Sequence, residues 1–118
     1  MADAGLFIGW GAPVRGREAR GLEVFNEALS YYGRLQQEGS IESLDTVILE
    51  PHGGDLQGFF LLRGSQEKLA QLRVDDEFVS LSTRASLIVE GLGVVGAALG
   101  DGLEDAVSTY QEAISELT

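Results

Sequence analysis

The stretch LQGFFLLR, residues 56–63, lies near the middle of the chain and decides the fold. Its apolar run from Phe59 to Leu62 has the length and aromatic content of a β-strand. Residues 51–55 (PHGGD) come just before it and predict a turn, because adjacent glycines allow the positive φ that tight turns need. Residues 41–50, rich in β-branched and aliphatic side chains, precede the turn. We therefore predict a β-hairpin from these two segments.

The pattern continues in both directions from the hairpin. Apolar residues recur at helical spacing between Leu22 and Leu35, with Gly39 as the stop. In chain order the predicted elements are a strand at 6–10, a helix at 22–35, strands at 41–50 and 56–63, a helix capped by Ser65, a helical turn begun by Asp75 or Asp76, a strand at 86–99, and a helix to Leu117 whose capping box is Asp101 and Glu104.

A β-α-β-β-α-β chain with an added C-terminal helix is typical of the ferredoxin-like α+β fold, an antiparallel sheet with helices on one face. We predict one such domain over residues 1–118. The strands are apolar without alternation, as in Leu6-Phe7-Ile8, so both faces of the sheet are apolar. Helices can cover only one face. We expect a second copy to cover the other, giving a sheet-to-sheet homodimer.

Two segments carry a family resemblance. Residues 35–41 (LQQEGSI) lead into the second strand, and residues 75–79 (DDEFV) precede the last one. With these segments the chain resembles the dimeric α+β barrel superfamily, which includes small monooxygenases, muconolactone isomerases and YCII-like proteins. The resemblance implies a homodimer that binds a small molecule or acts as a cofactor-independent enzyme. YCII-like proteins carry a histidine on the first helix, and this sequence has none there.

The charge balance excludes several partners. The chain has 19 acidic and 8 basic residues, a net charge of −11. Such a surface repels phosphate backbones and anionic lipids, so we expect no nucleic-acid or membrane binding. Arg15, Arg17 and Arg20 form the one basic cluster and predict a solvated helix face. The chain has no cysteine and no basic leader before its first apolar stretch, so we expect a cytoplasmic protein.

The segment VEGLGVVGAALG, residues 89–100, matches the glycine pattern of dinucleotide-binding proteins through Gly91, Gly93 and Gly96. That fingerprint needs a second strand about 20 residues later with an acidic residue at its end. Here the final helix follows directly, so the match is coincidental and we predict no nucleotide cofactor. The glycines instead predict a bent strand with a bulge or close backbone approach, which leaves space for a packed phenylalanine or a ligand.

Five residues are candidates for a site. His52 is the sole histidine and lies between Glu50 and Asp55, so it is a candidate general base or an exposed turn residue. Glu90 interrupts an apolar run, so it points to solvent, is paired with Arg63 or Arg84, or is catalytic. Three further residues are pocket candidates, namely Trp10, Tyr32 and Arg63. One histidine with scattered carboxylates does not predict a metal or haem site.

Two functions from different classes follow. One is a small-molecule-binding protein or cofactor-independent enzyme, with a pocket between sheet and helices that opens near Trp10 and His52. The other is a non-catalytic assembly or regulatory module whose role is the dimer itself. A cavity lined by Trp10, Tyr32 and Glu90 favours the first function, and a solidly packed interior favours the second.

Overall fold

The computed structural model describes residues 3–118 as one four-stranded sheet with four helices. The elements are β1 Ala4–Trp10, α1 Glu18–Glu38, β2 Ser43–Ile48, β3 Gly58–Gly64, α2 Gln66–Arg73, α3 Asp76–Ser86, β4 Gly93–Ala98 and α4 Asp101–Leu117. The strand order is β2-β3-β1-β4, and every neighbouring pair is antiparallel. This is the ferredoxin-like α+β arrangement that the sequence predicts.

The central hairpin forms as predicted, with shorter strands and a longer connection. β2 and β3 pair in a register that places Val47 opposite Phe59 and Leu44 opposite Leu62. The turn contains Gly53 at a φ of 83°, a conformation that favours glycine. β3 also pairs with β1, so the hairpin lies beside the first strand as the ferredoxin-like order requires.

The two faces of the sheet differ in what covers them. Leu6, Ile8, Phe60 and Leu62 point towards the helices and are almost fully buried. Residues between them in sequence point the opposite way, because successive side chains of a strand alternate. We call this second surface the outer face, and its apolar members are Phe7, Val47, Phe59, Leu61, Val95 and Ala97. On it the rings of Phe7 and Phe59 stack with centroids 5.1 Å apart.

Helix α1 lies across the covered face and ends where the sequence predicts, although no side chain caps its start at Arg17. Gly39 ends it with a φ of 81°, and the glycine amide donates to the carbonyl oxygen of Gln36, so the predicted stop is confirmed. The side chain of Ser65 accepts a hydrogen bond from the amide of Lys68 at 3.2 Å, so the predicted cap of α2 is also confirmed.

The predicted strand at residues 86–99 is wrong in its first half. Helix α3 continues to Ser86, and Leu87, Ile88 and Val89 follow it in a turn. The carbonyl oxygen of Ile88 accepts a hydrogen bond from the amide of Val14 at 2.8 Å, so this apolar run pairs with the segment after β1. Ile88 is buried there whereas Leu87 is 59% exposed, and β4 starts only at Gly93.

The last helix forms, although its predicted capping box does not. Gly100 occupies the cap position with a φ of 54°, Asp101 is already helical, and no side chain caps the helix. No residue of α4 is buried. Its apolar stripe is largely exposed and consists of Leu103, Val107, Tyr110, Ile114 and Leu117. Within residues 3–118, no helix is long and apolar enough to cross a bilayer.

The Leu62→Ala substitution tests the covered core. Leu62 has 0% exposed surface and lies between the sheet and the helices. We expect the substitution to lower the free energy of unfolding by about 2–5 kcal/mol, because it removes buried methyl groups and leaves a cavity. Urea titration measures the loss. Val74→Ala, at a position that is 77% exposed, is the control, and an equal loss in both variants would contradict this assignment of the core.

Candidate functional site

A cavity of about 430 Å³ lies between the sheet and helices α1 and α3. The end of β1 contributes Trp10, β3 contributes Phe60, and α1 contributes Phe25 and Tyr32. Ile88, from the turn after α3, closes the opposite side. The structure therefore has an open pocket next to two of the predicted pocket residues, Trp10 and Tyr32.

Four aromatic rings pack together along one wall of this cavity. Phe60 is at their centre, with the ring of Trp10 at 5.1 Å, that of Phe25 at 5.6 Å and that of Tyr32 at 5.1 Å between centroids. These are ordinary distances for aromatic pairs that attract each other. The cluster fixes the wall, because each ring is held by at least one other.

The hydroxyl of Tyr32 is a polar group of the lining that belongs to an almost fully buried residue. Its residue is 2% exposed, and the burial raises the pKa of the Tyr32 phenol well above its ordinary 10.0. The phenol is therefore neutral at physiological pH and carries a proton to donate. Within residues 3–118 its hydroxyl has no hydrogen-bond partner.

Ser82 adds a second hydroxyl to the lining. Its Oγ is buried and also has no hydrogen-bond partner among the described residues. The sequence prediction missed Ser82, although a signal was present. Phe78, Leu81 and Ala85 follow helical spacing, and Ser82, four residues after Phe78, shares their face. A serine among the apolar positions of a helix marks a polar group that faces the interior.

The lining contains almost no charge. Glu18 is its one charged residue and is exposed, with its Oε1 accepting a hydrogen bond from the amide of Gly16 at 2.9 Å. Among residues 3–118, no group of three or more His, Asp or Glu side chains is arranged to hold a metal ion.

His52 lies in the hairpin turn, exposed and outside the lining of the cavity. Its Nδ1 accepts a hydrogen bond from the amide of Gly54 at 3.1 Å, which places the proton of the neutral ring on Nε2. Nε2 then donates to the carbonyl oxygen of Leu56 at 2.7 Å. Both ring nitrogens are thus engaged within the turn. The role of His52 as a general base stays a prediction.

Glu90 lies in the bend before β4 and is exposed, so its predicted position inside an apolar strand is wrong. Its carbonyl oxygen accepts a hydrogen bond from the amide of Gly11 at 2.7 Å, and a β carbon on Gly11 would come within 2.7 Å of the same oxygen. Glu90 lines a second depression that shares Trp10 with the cavity. Its catalytic role stays a prediction.

The predicted arginine partners of Glu90 are engaged elsewhere. Arg63 donates to Asp45 at 3.0 Å and belongs to the outer face, on the side of the sheet away from the cavity. It therefore does not join Trp10 and Tyr32 in a pocket. Arg84 of α3 contacts Glu27 of α1 at 2.5 Å.

The glycines of residues 91–96 have different roles. Gly91 has a φ of 62° in the bend before β4, a conformation that favours glycine. Gly93 and Gly96 lie in β4, and a β carbon on either would meet nothing within 4 Å. The close approach predicted for these two positions is therefore wrong, as is the packed phenylalanine. The space beside them is open.

The sequence matches no protein-family model and no curated protein. Solved structures with the same fold are found. A dimeric protein of unknown function and ferredoxin-like fold from Bacteroides fragilis has a TM-score of 0.60 at 12% identity, over 81% of this chain and 96% of its own. A dimeric ferredoxin-like protein of unknown function from a Jannaschia species has a TM-score of 0.61 at 12% identity, over 82% and 98%.

A third similar structure is an enzyme. SnoaB from Streptomyces nogalater, a cofactor-independent oxygenase, has a TM-score of 0.51 at 12% identity, over 84% of this chain and 93% of its own. At this level of identity the comparisons establish a shared ferredoxin-like fold, and function has to be argued from the site.

The buried phenol predicts a specific loss of stability in alkali. Because the pKa of Tyr32 is raised on folding, the unfolded chain loses this proton near pH 10 while the folded chain keeps it. The part of the free energy of unfolding that comes from this raised pKa is complete below pH 10. Above pH 10 it declines by up to about 1.4 kcal/mol per pH unit. Between pH 9 and 11 we expect Tyr32→Phe to lose about 1 kcal/mol less than the parent in urea titrations.

Tyr110→Phe is the control for this experiment, since Tyr110 is 70% exposed. We expect this variant to lose as much stability as the parent over the same pH interval. An identical alkaline loss in the parent and in Tyr32→Phe would contradict the burial of the Tyr32 hydroxyl.

Proposed function

We propose that this protein is a homodimer in which each chain binds a small molecule in the cavity between sheet and helices. The observation that carries the proposal is the cavity itself, about 430 Å³ in volume and lined by Trp10 and Tyr32. The cavity opens to solvent, because Leu22 and Ile48 of its lining are 62% and 63% exposed, so a ligand can enter it. A pocket of this size and apolar character suits a small ligand.

The outer face supports the dimer. Phe7, Phe59, Leu61 and Val95 lie together on it, and none of the four helices packs across them. Val95 is 55% exposed, and Phe7, Phe59 and Leu61 are partly exposed. Apolar surfaces of this extent usually mark contacts with another protein, and two similar structures are themselves dimeric. A second copy of the chain is the simplest partner, because its own outer face is equally apolar and would be covered by the same contact.

Catalysis in the cavity extends the same proposal. A cofactor-independent reaction would take place beside Tyr32, whose neutral phenol can donate a proton but is a poor base. Proton abstraction would require His52 or Glu90, both outside the lining. The alternative, a purely assembling or regulatory dimer, does not account for the open pocket. We place the protein in the cytoplasm, away from nucleic acid, on account of its net charge of −11 and lack of cysteine.

The dimer is tested by a charge on the outer face. We expect Val95→Glu to give a folded monomer at micromolar concentration, because a sheet-to-sheet contact would bury the new carboxylate without a partner. Light scattering measures the mass. Val79→Glu is the matched control, since Val79 is 47% exposed on α3, and we expect it to remain dimeric. A dimeric Val95→Glu variant would contradict the proposed interface.

The cavity is tested by filling it. Ala85 lines the cavity from α3, and we expect Ala85→Phe to occupy its volume and weaken binding of the uncharged fluorescent dye Nile red by about tenfold or more. Ala19→Phe places the same ring on an exposed position of α1 outside the lining. We expect that variant to bind the dye as the parent does. Dye binding unchanged by Ala85→Phe would contradict the proposed site.

A further inference from the structure

We infer that the ligand is an uncharged, largely apolar molecule with one hydrogen-bond acceptor, such as a ketone or ester carbonyl, and that the hydroxyl of Tyr32 donates to it. This inference rests on the proposed function and specifies the ligand of that site. It follows from the charge of the lining, from the packing of the aromatic rings and from a difference between two adjacent tyrosines.

The lining excludes an anionic ligand. It contains no lysine, arginine or histidine, and its one charged residue, Glu18, is itself negative. A carboxylate or phosphate in the cavity would lose its hydration and gain no opposite charge, which is costly in an apolar environment. The net charge of −11 on the chain adds to this penalty.

A cationic ligand is disfavoured for a different reason. Aromatic rings can hold a cation over a free face. Here Phe60 contacts Trp10, Phe25 and Tyr32 at 5.1 to 5.6 Å between centroids, and Phe25 and Phe60 are stacked at an interplanar angle of 22°. The faces and edges of these rings thus contact other rings of the cluster, which leaves less ring surface to hold a cation. Glu18, the remaining candidate partner, is exposed and already accepts a hydrogen bond from Gly16.

Tyr31 and Tyr32 are neighbours with opposite hydrogen-bonding states. Tyr31 donates to Oδ2 of Asp75 at 3.1 Å. Burial, followed by that hydrogen bond, raises the pKa of Tyr31. Tyr32 is as deeply buried and lines the cavity, yet its hydroxyl has no partner within residues 3–118. Burial is the sole cause of its raised pKa.

The Tyr32 hydroxyl has no partner among residues 3–118 although its residue is 2% exposed, and polar groups inside folded proteins are nearly always hydrogen-bonded. The phenol of Tyr32 stays protonated, so the group that satisfies it is an acceptor. In a cavity with an apolar, uncharged wall, that acceptor is a carbonyl or ether oxygen of the bound molecule. The buried hydroxyl of Ser82 is available as a second contact in the same lining.

Four probes of similar size separate these possibilities, and the protein supplies its own signal. Trp10 is the sole tryptophan and lines the cavity, so its emission reports binding. The probes are dicyclohexyl ketone, dicyclohexylmethane, dicyclohexylacetate and dicyclohexylamine, which are an acceptor, a hydrocarbon, an anion and a cation. We expect the ketone to have the lowest Kd. We expect the two ions to bind at least about tenfold more weakly than the ketone.

The Tyr32→Phe variant tests the hydrogen bond directly. Loss of the Tyr32 hydroxyl should raise the Kd of the ketone about threefold to tenfold, because the hydrogen bond is lost. The Kd of dicyclohexylmethane should be unchanged, because this probe has no acceptor. Unchanged binding of the hydrocarbon also verifies that the variant keeps its cavity. Tyr31→Phe is the matched control, because that hydroxyl contacts Asp75 instead, and both Kd values should equal those of the parent.

The outcomes separate the inference from the proposed function. Equal ketone binding by the parent and Tyr32→Phe would overturn the role of Tyr32. Tighter binding of the anion or the cation would overturn the uncharged ligand class while supporting a small-molecule site. If none of the four probes binds, the inference is overturned, and binding of Nile red that is sensitive to Ala85→Phe decides independently whether the site exists.

Discussion

The constraint on which this structure depends is a sheet that is apolar on both faces while helices lie on only one. Phe59, Phe60, Leu61 and Leu62 are consecutive, so alternation sends two large side chains to each side of β3. Helices α1 to α3 bury Phe60 and Leu62. The outer face keeps Phe59 and Leu61, and a second chain is the proposed cover.

The covered side of the sheet has an open pocket, and its polar groups support the proposed ligand. An unpaired buried hydroxyl such as that of Ser82 costs about 1–3 kcal/mol. The ion pairs that connect α1 to α3, Arg84 with Glu27 and Arg34 with Glu77, are exposed to solvent, and such screened pairs contribute little to stability. They do not compensate for the unpaired groups. In the proposed complex an acceptor of the ligand pairs with Tyr32, and the Ser82 hydroxyl of the same lining is available to that molecule.

Sequence patterns predicted the fold better than the site. The hairpin, the end of α1 at Gly39 and the cap at Ser65 depend on local rules and are found as expected. The segment after α3 was misassigned because Ile88 and Val89 are apolar for tertiary reasons, since they lie against Val14 and Pro13 after β1. Periodicity cannot distinguish such a run from a strand.

The face of the sheet on which Arg63 lies could have been predicted from the sequence. It shares strand parity with Phe59 and Leu61, which places it on the outer face. The hydrogen bonding of the two adjacent tyrosines could not be predicted in this way. Whether Tyr31 or Tyr32 finds a partner depends on Asp75, which is more than 40 residues away in sequence. Only three-dimensional contacts reveal that one tyrosine is satisfied and the other is not.

Sedimentation equilibrium of the unmodified protein tests the central claim most directly, because the outer face either is or is not covered by a second chain. The account predicts a single species of twice the 12.6 kDa chain mass throughout the micromolar range. A folded species with the mass of one chain over that whole range would contradict it.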